Sequence, residues 1–143
     1  MTIKIEKFRS EVSLFYEAAC FIRNTVFVEE QNVPKELELD EYEAVSTFYL
    51  LFFEGKPVAT ARWRETAKGV KLERFAVLKD FRNQKLGYVI LKRVLEDVVP
   101  LKKEIYLHAQ IDAFNFYKRY GFEPVGEKFV EAGIVHYLMK FSG

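Results

Sequence analysis

The stretch Val77-Leu78-Lys79-Asp80-Phe81-Arg82-Asn83-Gln84-Lys85-Leu86-Gly87-Tyr88-Val89-Ile90 joins two regions of different hydrophobic period. Before it, Val70 to Leu78 alternates. A regular strand would put Val70, Leu72, Ala76 and Leu78 on one side and Lys71, Glu73, Phe75 and Val77 on the other. After it, Leu91, Val94, Leu95 and Val98 recur at helical spacing, and Pro100 closes the run. A strand-to-helix loop gathers backbone N–H groups and a helix N-terminus at one place, which suits an anion such as phosphate. Arg82 and Lys85 add positive charge, and Gly87 permits close approach of the backbone. On this stretch alone, a plain turn carrying solvated basic residues would look the same. The Gly-Lys-Ser/Thr of a nucleotide P-loop is missing.

Towards the amino terminus, Thr47 to Phe53 reads as a strand buried on both faces. Glu54-Gly55-Lys56-Pro57 is a tight turn, and Val58 to Arg64 returns to make a hairpin. Thr66-Ala67-Lys68-Gly69 is a second turn. Ile3, Ile5 and Phe8 suggest a first strand. Ser10 reads as the N-cap of a helix with Val12, Phe15, Tyr16, Ala19 and Ile22 on one face, running to about Phe27. Pro34 ends regular structure, and residues 35–45 read as an acidic loop with a short helical turn. Towards the carboxyl terminus, Glu104 to His108 is a short strand. Ala113, Phe116, Tyr117 and Tyr120 repeat the helical spacing up to Gly121. Phe122 to Val125 and Ile134 to Phe141 are two closing strands. The order β-α-ββ-β-α-β-α-β-β predicts an α/β (α+β) domain.

The 143 residues suit one domain, 1–143. Hydrophobic residues at 50% and aromatics at 16% support a real core and exclude a disordered chain. The 22 Lys+Arg against 21 Asp+Glu give no bulk attraction for nucleic acid or an anionic membrane. The single cysteine, Cys20, can form neither an internal disulfide nor a zinc cage, so a reducing cytoplasm and no metal are expected. Met1 to Lys7 alternates apolar and charged residues and lacks the apolar run of a signal peptide. Phe48 to Phe53 falls far short of the ~20 residues of a membrane helix.

Arg82-Asn83-Gln84-Lys85-Leu86-Gly87 resembles the Arg/Gln-x-x-Gly-x-Gly/Ala loop of the GNAT N-acetyltransferase superfamily, which holds the pyrophosphate of acetyl-CoA. Ala109-Gln110-Ile111-Asp112-Ala113-Phe114-Asn115-Phe116-Tyr117-Lys118-Arg119-Tyr120-Gly121-Phe122 resembles the later block Asn-x-x-Ala-x-x-Phe-Tyr-x-x-x-Gly-Phe. Ile22-Arg23, Val26 to Pro34, Glu38-Leu39-Asp40, Ala59 to Arg62, Leu72-Glu73-Arg74 and Ala132 to His136 are similar to its ElaA/YjcF-like subgroup. Lys85 departs from the general motif's first Gly, as it does in that subgroup. Gln110 stands where many relatives have Asn, and keeps an amide. The resemblance implies a GNAT fold: a central mixed, mostly antiparallel twisted sheet of six to seven strands flanked by about four helices. It implies transfer of acetyl from the cosubstrate acetyl-CoA, without a metal, directly to a primary amine of a small molecule. The alternative is a non-catalytic acyl-CoA-binding or regulatory domain. GNAT domains often dimerise, so a homodimer sharing a closing strand is also implied.

Carried over residue by residue, the resemblance gives Arg82, Asn83, Gln84, Lys85, Leu86, Gly87 and Tyr88 to the pyrophosphate. It gives the backbone of Phe75, Ala76 and Val77, with Gln110, Phe114 and Tyr117, to the pantetheine arm and thioester. Tyr117 becomes the general acid, where spacing alone reads as a core aromatic. His136 stands where glyphosate-type N-acetyltransferases carry a catalytic His, but the arginines with which those relatives hold an anionic substrate are not matched, Glu73 and Gln110 standing at two of those places, so that substrate does not carry over. A histidine accepts protons near neutral pH, and the alternative is a strand His satisfied by a neighbour. Glu73 competes as base, or forms an ion pair with Arg62 or Arg74. His108 reads as structural. Arg23, Phe27, Glu30, Gln31 and Arg62 are the acceptor-site candidates. The seven acids between Glu29 and Glu43 would make an acidic wall for a cationic amine, or a solvated loop.

Overall fold

The computed structural model describes residues 2–143. Met1, which begins the amino-terminal stretch read above, lies outside the described residues. The strands are β1 (Ile3–Phe8), β2 (Thr47–Phe53), β3 (Lys56–Thr66), β4 (Gly69–Val77), β5 (Ile105–Gln110), β6 (Phe122–Pro124), β7 (Phe129–Glu131) and β8 (Ile134–Phe141). The α-helices are α1 (Ser13–Arg23), α2 (Lys35–Glu38), α3 (Leu86–Val98) and α4 (Phe114–Arg119). One sheet runs β1-β2-β3-β4-β5-β8-β6, with β7 also paired to β8. Among the described residues only β4 and β5 are parallel neighbours; every other pairing is antiparallel.

The sheet separates two apolar layers. Tyr49 and Leu51 of β2 pack with Val70, Leu72 and the inner face of α3 (Leu86, Ile90, Leu91, Val94, Val98). Phe48 and Leu50 point the other way, to Ala19 and Ile22 of α1. Strict alternation thus buries β2 on both faces, as its continuous apolar run predicts. Polar atoms in these layers find partners. The Tyr49 hydroxyl donates to Asp97 Oδ2 at 2.7 Å and accepts from Trp63 Nε1 at 3.0 Å, tying β2 and β3 to α3.

Ser10 is not the helix cap. It lies in a turn, α1 starts at Ser13 after Val12, and no side chain caps it. Beyond Arg23 the helix widens into a π-helical stretch, Asn24–Glu30, so the chain stays helical past the expected end at Phe27. Among the described residues there are eight strands, one more than the upper count expected. The additional one is β7, whose three residues are too few to carry a period. Its turn to β8 uses Ala132 (φ 52°) and Gly133 (φ 77°), two successive left-handed residues as a tight hairpin requires. Gly121 (φ 99°) ends α4. A Cβ there would stand 2.9 Å from Phe141 Cε1 and 3.0 Å from the Gly143 carbonyl carbon, so only glycine fits without displacing the carboxyl-terminal chain.

Candidate active site

The alternation along β4 breaks at one residue. Arg62 pairs with Glu73 but Thr60 pairs with Ala76, so β4 carries one extra residue opposite β3. Arg74 takes the left-handed conformation (φ 57°) at this bulge. The parity of the strand therefore inverts. Phe75 and Val77 pack in the same layer as Val70 and Leu72, and Ala76 turns to the α1 layer. The sequence reading put Ala76 with Val70 and Leu72, which holds only for an unbulged strand.

Beyond the bulge, β4 leaves its parallel neighbour. Their pairing is confined to Val70–Ile105, Lys71–Tyr106 and Leu72–Leu107, although β4 continues to Val77 and β5 to Gln110. A cleft of about 490 Å³ lies at this parting. It is bordered by Phe27, Gln31, Glu73, Phe75, Gln110, Tyr117 and His136, brought from the π-helical stretch after α1 and the turn that follows it, β4, β5, α4 and β8.

His136 is 6% exposed. Its Nδ1 lies 2.7 Å from the Ile134 carbonyl oxygen, which can only accept, so Nδ1 carries the proton and a neutral ring keeps its lone pair on Nε2. Nε2 stands 3.9 Å from Glu131 Oε1. The other Glu131 oxygen is 3.2 Å from His108 Nδ1. That hydrogen bond, against partial burial, holds the Glu131 carboxyl below the usual carboxylate range, so a full negative charge faces His136. His108 is thus more than a strand-end residue: it fixes the carboxylate beside the second histidine.

Tyr117 is 7% exposed and its ring is held by Phe75, Phe116 and Phe122 at centroid distances of 6.1, 5.1 and 5.6 Å. Its hydroxyl has no side-chain or backbone partner among the described residues, yet it is not a sealed polar atom, because none of those lacks a partner. The hydroxyl therefore opens into the cleft. Burial pushes its proton affinity well above the usual phenol range.

Glu73 has a different setting. Its carboxylate takes Arg62 Nη2 at 2.9 Å, Arg64 Nε at 2.9 Å and Lys71 Nζ at 3.2 Å. Burial opposes its ionisation, but Arg62 and the other two cations outweigh that and hold it at about 2. A carboxylate with three cations on it is a weak proton acceptor.

At the head of α3, Asn83 (φ 64°) and Lys85 (φ 63°) are both left-handed, which curls the loop into a concave turn. No side chain caps α3, so the N–H groups of Leu86, Gly87 and Tyr88 remain uncommitted at the positive end of a 13-residue helix. A Cβ on Gly87 would meet Phe116 Cζ at 3.6 Å, Phe116 Cε1 at 3.7 Å and Val77 Cγ2 at 4.0 Å, all ordinary contacts, so packing within the protein does not call for glycine there. Arg82 spans the loop. Its Nε donates to the Val77 carbonyl at 2.9 Å, and its fork holds Glu30 at 2.7 and 3.0 Å. A carboxylate thus already sits where an anionic ligand would. The residues present fit a pyrophosphate: an uncapped helix end, a concave backbone and a forked guanidinium.

The family model for the acetyltransferase (GNAT) domain matches residues 11–142. The chain belongs to the GNAT acetyltransferase family. It is 40% identical over 123 residues to the uncharacterized N-acetyltransferase YjcF of Bacillus subtilis, covering 85% of this chain and 88% of that protein. It is 32% identical over 121 residues to the protein ElaA of Escherichia coli, covering 80% and 79%. The crystal structure of that ElaA superposes with a TM-score of 0.87 at 30% identity over 97% of this chain and 99% of the other. An acyl-CoA N-acyltransferase from Pseudomonas aeruginosa gives 0.88 at 26% identity over 99% and 100%. The GNAT fold and the ElaA/YjcF-like subgroup are therefore established, and the chain is an acyltransferase.

Within this GNAT cleft the acceptor-site candidates separate. Phe27 and Gln31 border it, and Gln31 accepts from Gln110 Nε2 at 2.8 Å. Glu30 turns away to Arg82. Arg23 (1% exposed) and Arg62 (0%) lie beneath the cleft. Arg23 binds Glu38 and Glu43, and Arg62 binds Asp40, Glu43 and Glu73. They consume three of the seven acids that the sequence suggested as an acidic wall: Glu38, Asp40 and Glu43. Nothing in the spacing of residues 29–43 told that Glu38, Asp40 and Glu43 meet arginines from three other elements. Of the described helices, none is long and apolar enough to cross a membrane. Among the described residues no group of three or more His, Cys, Asp and Glu is placed to hold a metal ion.

This network gives stability a pH dependence. Burial works against the Asp40 carboxylate too, but Arg62 overcomes it, and both Asp40 and Glu73 titrate at about 2, against 3.8 and 4.5 unperturbed. The folded state holds fewer protons than the unfolded chain through this range. The stabilisation is therefore complete above about pH 4.5 and lost as pH falls towards 2. The urea midpoint is expected to drop steeply between these values. A flat profile across that window would remove the network from the account of stability.

Proposed function

We propose that this chain moves the acetyl group of acetyl-CoA directly to a primary amine of a small molecule, in the cytoplasm. One observation carries the reading: a histidine with a free Nε2 lone pair and a tyrosine hydroxyl without a protein partner open into the same cleft, where β4 parts from β5. When bound, acetyl-CoA supplies a thioester, so that the acetyl carbon–nitrogen bond forms as the carbon–sulfur bond breaks, and of the ammonium's two departing protons one goes to a base and one to sulfur. His136 Nε2 is the base and makes the acceptor nitrogen nucleophilic. The charge it gains faces Glu131. Tyr117 keeps its proton at any working pH, so it acts by donating a hydrogen bond to the sulfur as negative charge develops there.

The unpaired edges of Phe75, Ala76 and Val77, with the Gln110 amide, suit a pantetheine arm. Arg82 and the Asn83 to Tyr88 backbone suit the pyrophosphate. Phe114, at the first position of α4, packs on Tyr137 at 4.9 Å between centroids and is not among the residues that border the cleft, so it is left out of the pantetheine contacts. Glu73 serves the ion network and not the base role left open by the sequence. The Pseudomonas aeruginosa relative's description as an acyl-CoA N-acyltransferase supports an acyl-CoA donor.

Release of free CoA thiol from acetyl-CoA against a panel of primary amines tests the activity. Thermal stabilisation by CoA with no turnover on any amine would favour the binding-module alternative. Tyr117→Phe separates roles. Because the hydroxyl has no protein partner, the variant should keep its stability and bind acetyl-CoA within about twofold. Turnover should fall about 10- to 100-fold. Unchanged turnover would dismiss Tyr117 as the donor to sulfur.

A further inference from the structure

The charges around the acceptor end of the cleft are unevenly committed. Arg64 lies 3.6 Å over the Tyr42 ring, which fixes its guanidinium plane, and gives Nε and Nη2 to Glu73. Its Nη1 has no partner among the described residues. Lys71 shares the same carboxylate, which buried Arg62 also occupies. Three cations therefore rest on one acid. Arg74 gives Nε and Nη2 to the Glu38 carbonyl and Nη2 to Asp40, leaving its own Nη1 without a partner. Burial, with the like charges of Arg62 and Arg23, lowers its proton affinity, as a surplus of positive charge would. Arg64, Lys71 and Arg74 all border the cleft.

The acids there are spent. Glu38, Asp40, Glu43 and Glu73 each hold an arginine. The exception is Glu131, at the opposite wall beside His136, with Lys71 close enough to favour its charge. The interior thus presents cationic donors without acceptors, and the wall next to the base presents an acceptor.

We propose that the acceptor is an amine that also carries a compact anionic group, seated on Arg64, Lys71 and Arg74 while its amine meets His136 and Glu131. This deepens the acetyltransferase reading above and rests on it. It reverses the cationic acceptor that an acidic wall would favour. A charge-assisted bond to such donors discriminates strongly against a neutral analogue.

The test uses isosteres of one skeleton. β-Alanine, taurine and 2-aminoethylphosphonate differ from propylamine only in the terminal group, and 1,3-diaminopropane reverses its charge. Glycine and 4-aminobutanoate, each beside the amine lacking its carboxylate, cover other spacings. At least one anionic member should exceed its neutral and cationic partners by about tenfold or more in kcat/KM; the preferred anion identifies the group. Arg64→Gln should bring that ratio to within about threefold of one, and Arg64→Lys should restore part of it. If Arg64→Gln does not fold, Lys71→Gln reads the same ratio. Binding of acetyl-CoA with equal or better turnover of neutral or dicationic amines overturns this inference and leaves the acetyltransferase standing. No calorimetric binding of acetyl-CoA overturns both. Binding without turnover is decided by titrating the amines into the acetyl-CoA complex: heat from anionic members alone supports the inference, and any other pattern overturns it.

Discussion

Replacing His136 by alanine should lower kcat/KM by about 10²- to 10⁴-fold, the usual contribution of a positioned general base. The expectation rests on its hydrogen bonding. With Nδ1–H given to the Ile134 carbonyl at 2.7 Å, the ring has one orientation and one free nitrogen. Glu131, 3.9 Å from that nitrogen, meets the charge that proton transfer creates. The variant's pH–rate profile should also lose the limb that reports protonation of the base. Stability is a control, because the ring's one hydrogen bond, to the Ile134 carbonyl, stays within β8. Glu73→Gln is the contrasting variant, since its carboxylate is already held by three cations. If His136→Ala retains the limb and Glu73→Gln abolishes it, the two assignments must be exchanged.

Arg62→Met should destabilise the fold by about 3 to 5 kcal/mol, because it strands buried carboxylates rather than removing a whole network. Arg62 is wholly buried and makes five hydrogen bonds, to Asp40, Glu43 and Glu73. Methionine fills much of the volume, so cavity formation contributes little. For a chain of this size the loss corresponds to a fall in Tm on the order of 10 °C. Arg62→Lys should recover only part, because an ammonium cannot spread its donors over three acids as a planar fork does. The variant should also lose much of its acid dependence between about pH 4.5 and 2, since Asp40 and Glu73 no longer differ as strongly from the unfolded chain. A loss below about 1 kcal/mol would mean that the network is solvated far more than its burial indicates.

What could be read from the sequence follows from what repeats. Leu91, Val94, Leu95 and Val98 announce α3 because a helix buries one stripe, and Phe48 to Leu51 announce a central strand because both its faces are covered. Tyr117, His136 and the loop around Arg82 could be singled out as candidates through short motifs, and the structure brings Tyr117 and His136 to one cleft. The Arg74 bulge left no trace, because an inserted residue looks like any other until its partner strand is known. It misassigned the faces of Phe75, Ala76 and Val77. The strand β7 was too short to show a period, and with it went the place of Glu131 and the role of His108. Arg23 and Arg62 read as acceptor-site candidates because a buried arginine is betrayed mainly by carboxylates distant in sequence; of those partners only Glu73, offered as an ion pair with Arg62, was in view. Ser10 had the right chemistry for a cap, but the helix begins past it.

Glu30 and Gln31 are neighbours in the chain, and they engage Arg82 and Gln110 on the two sides of the parted strands. The molecule therefore carries an internal competitor for its own anion-binding loop. Any ligand that takes the Arg82 fork must first displace a carboxylate on the same polypeptide, whose local concentration no dilution can reduce. Its measured dissociation constant is the intrinsic one divided by the fraction of molecules in which the clasp stands open. Since Gln31 follows Glu30 in the chain and borders the cleft, the carboxylate that must yield at the loop is tethered to a residue of the cleft wall.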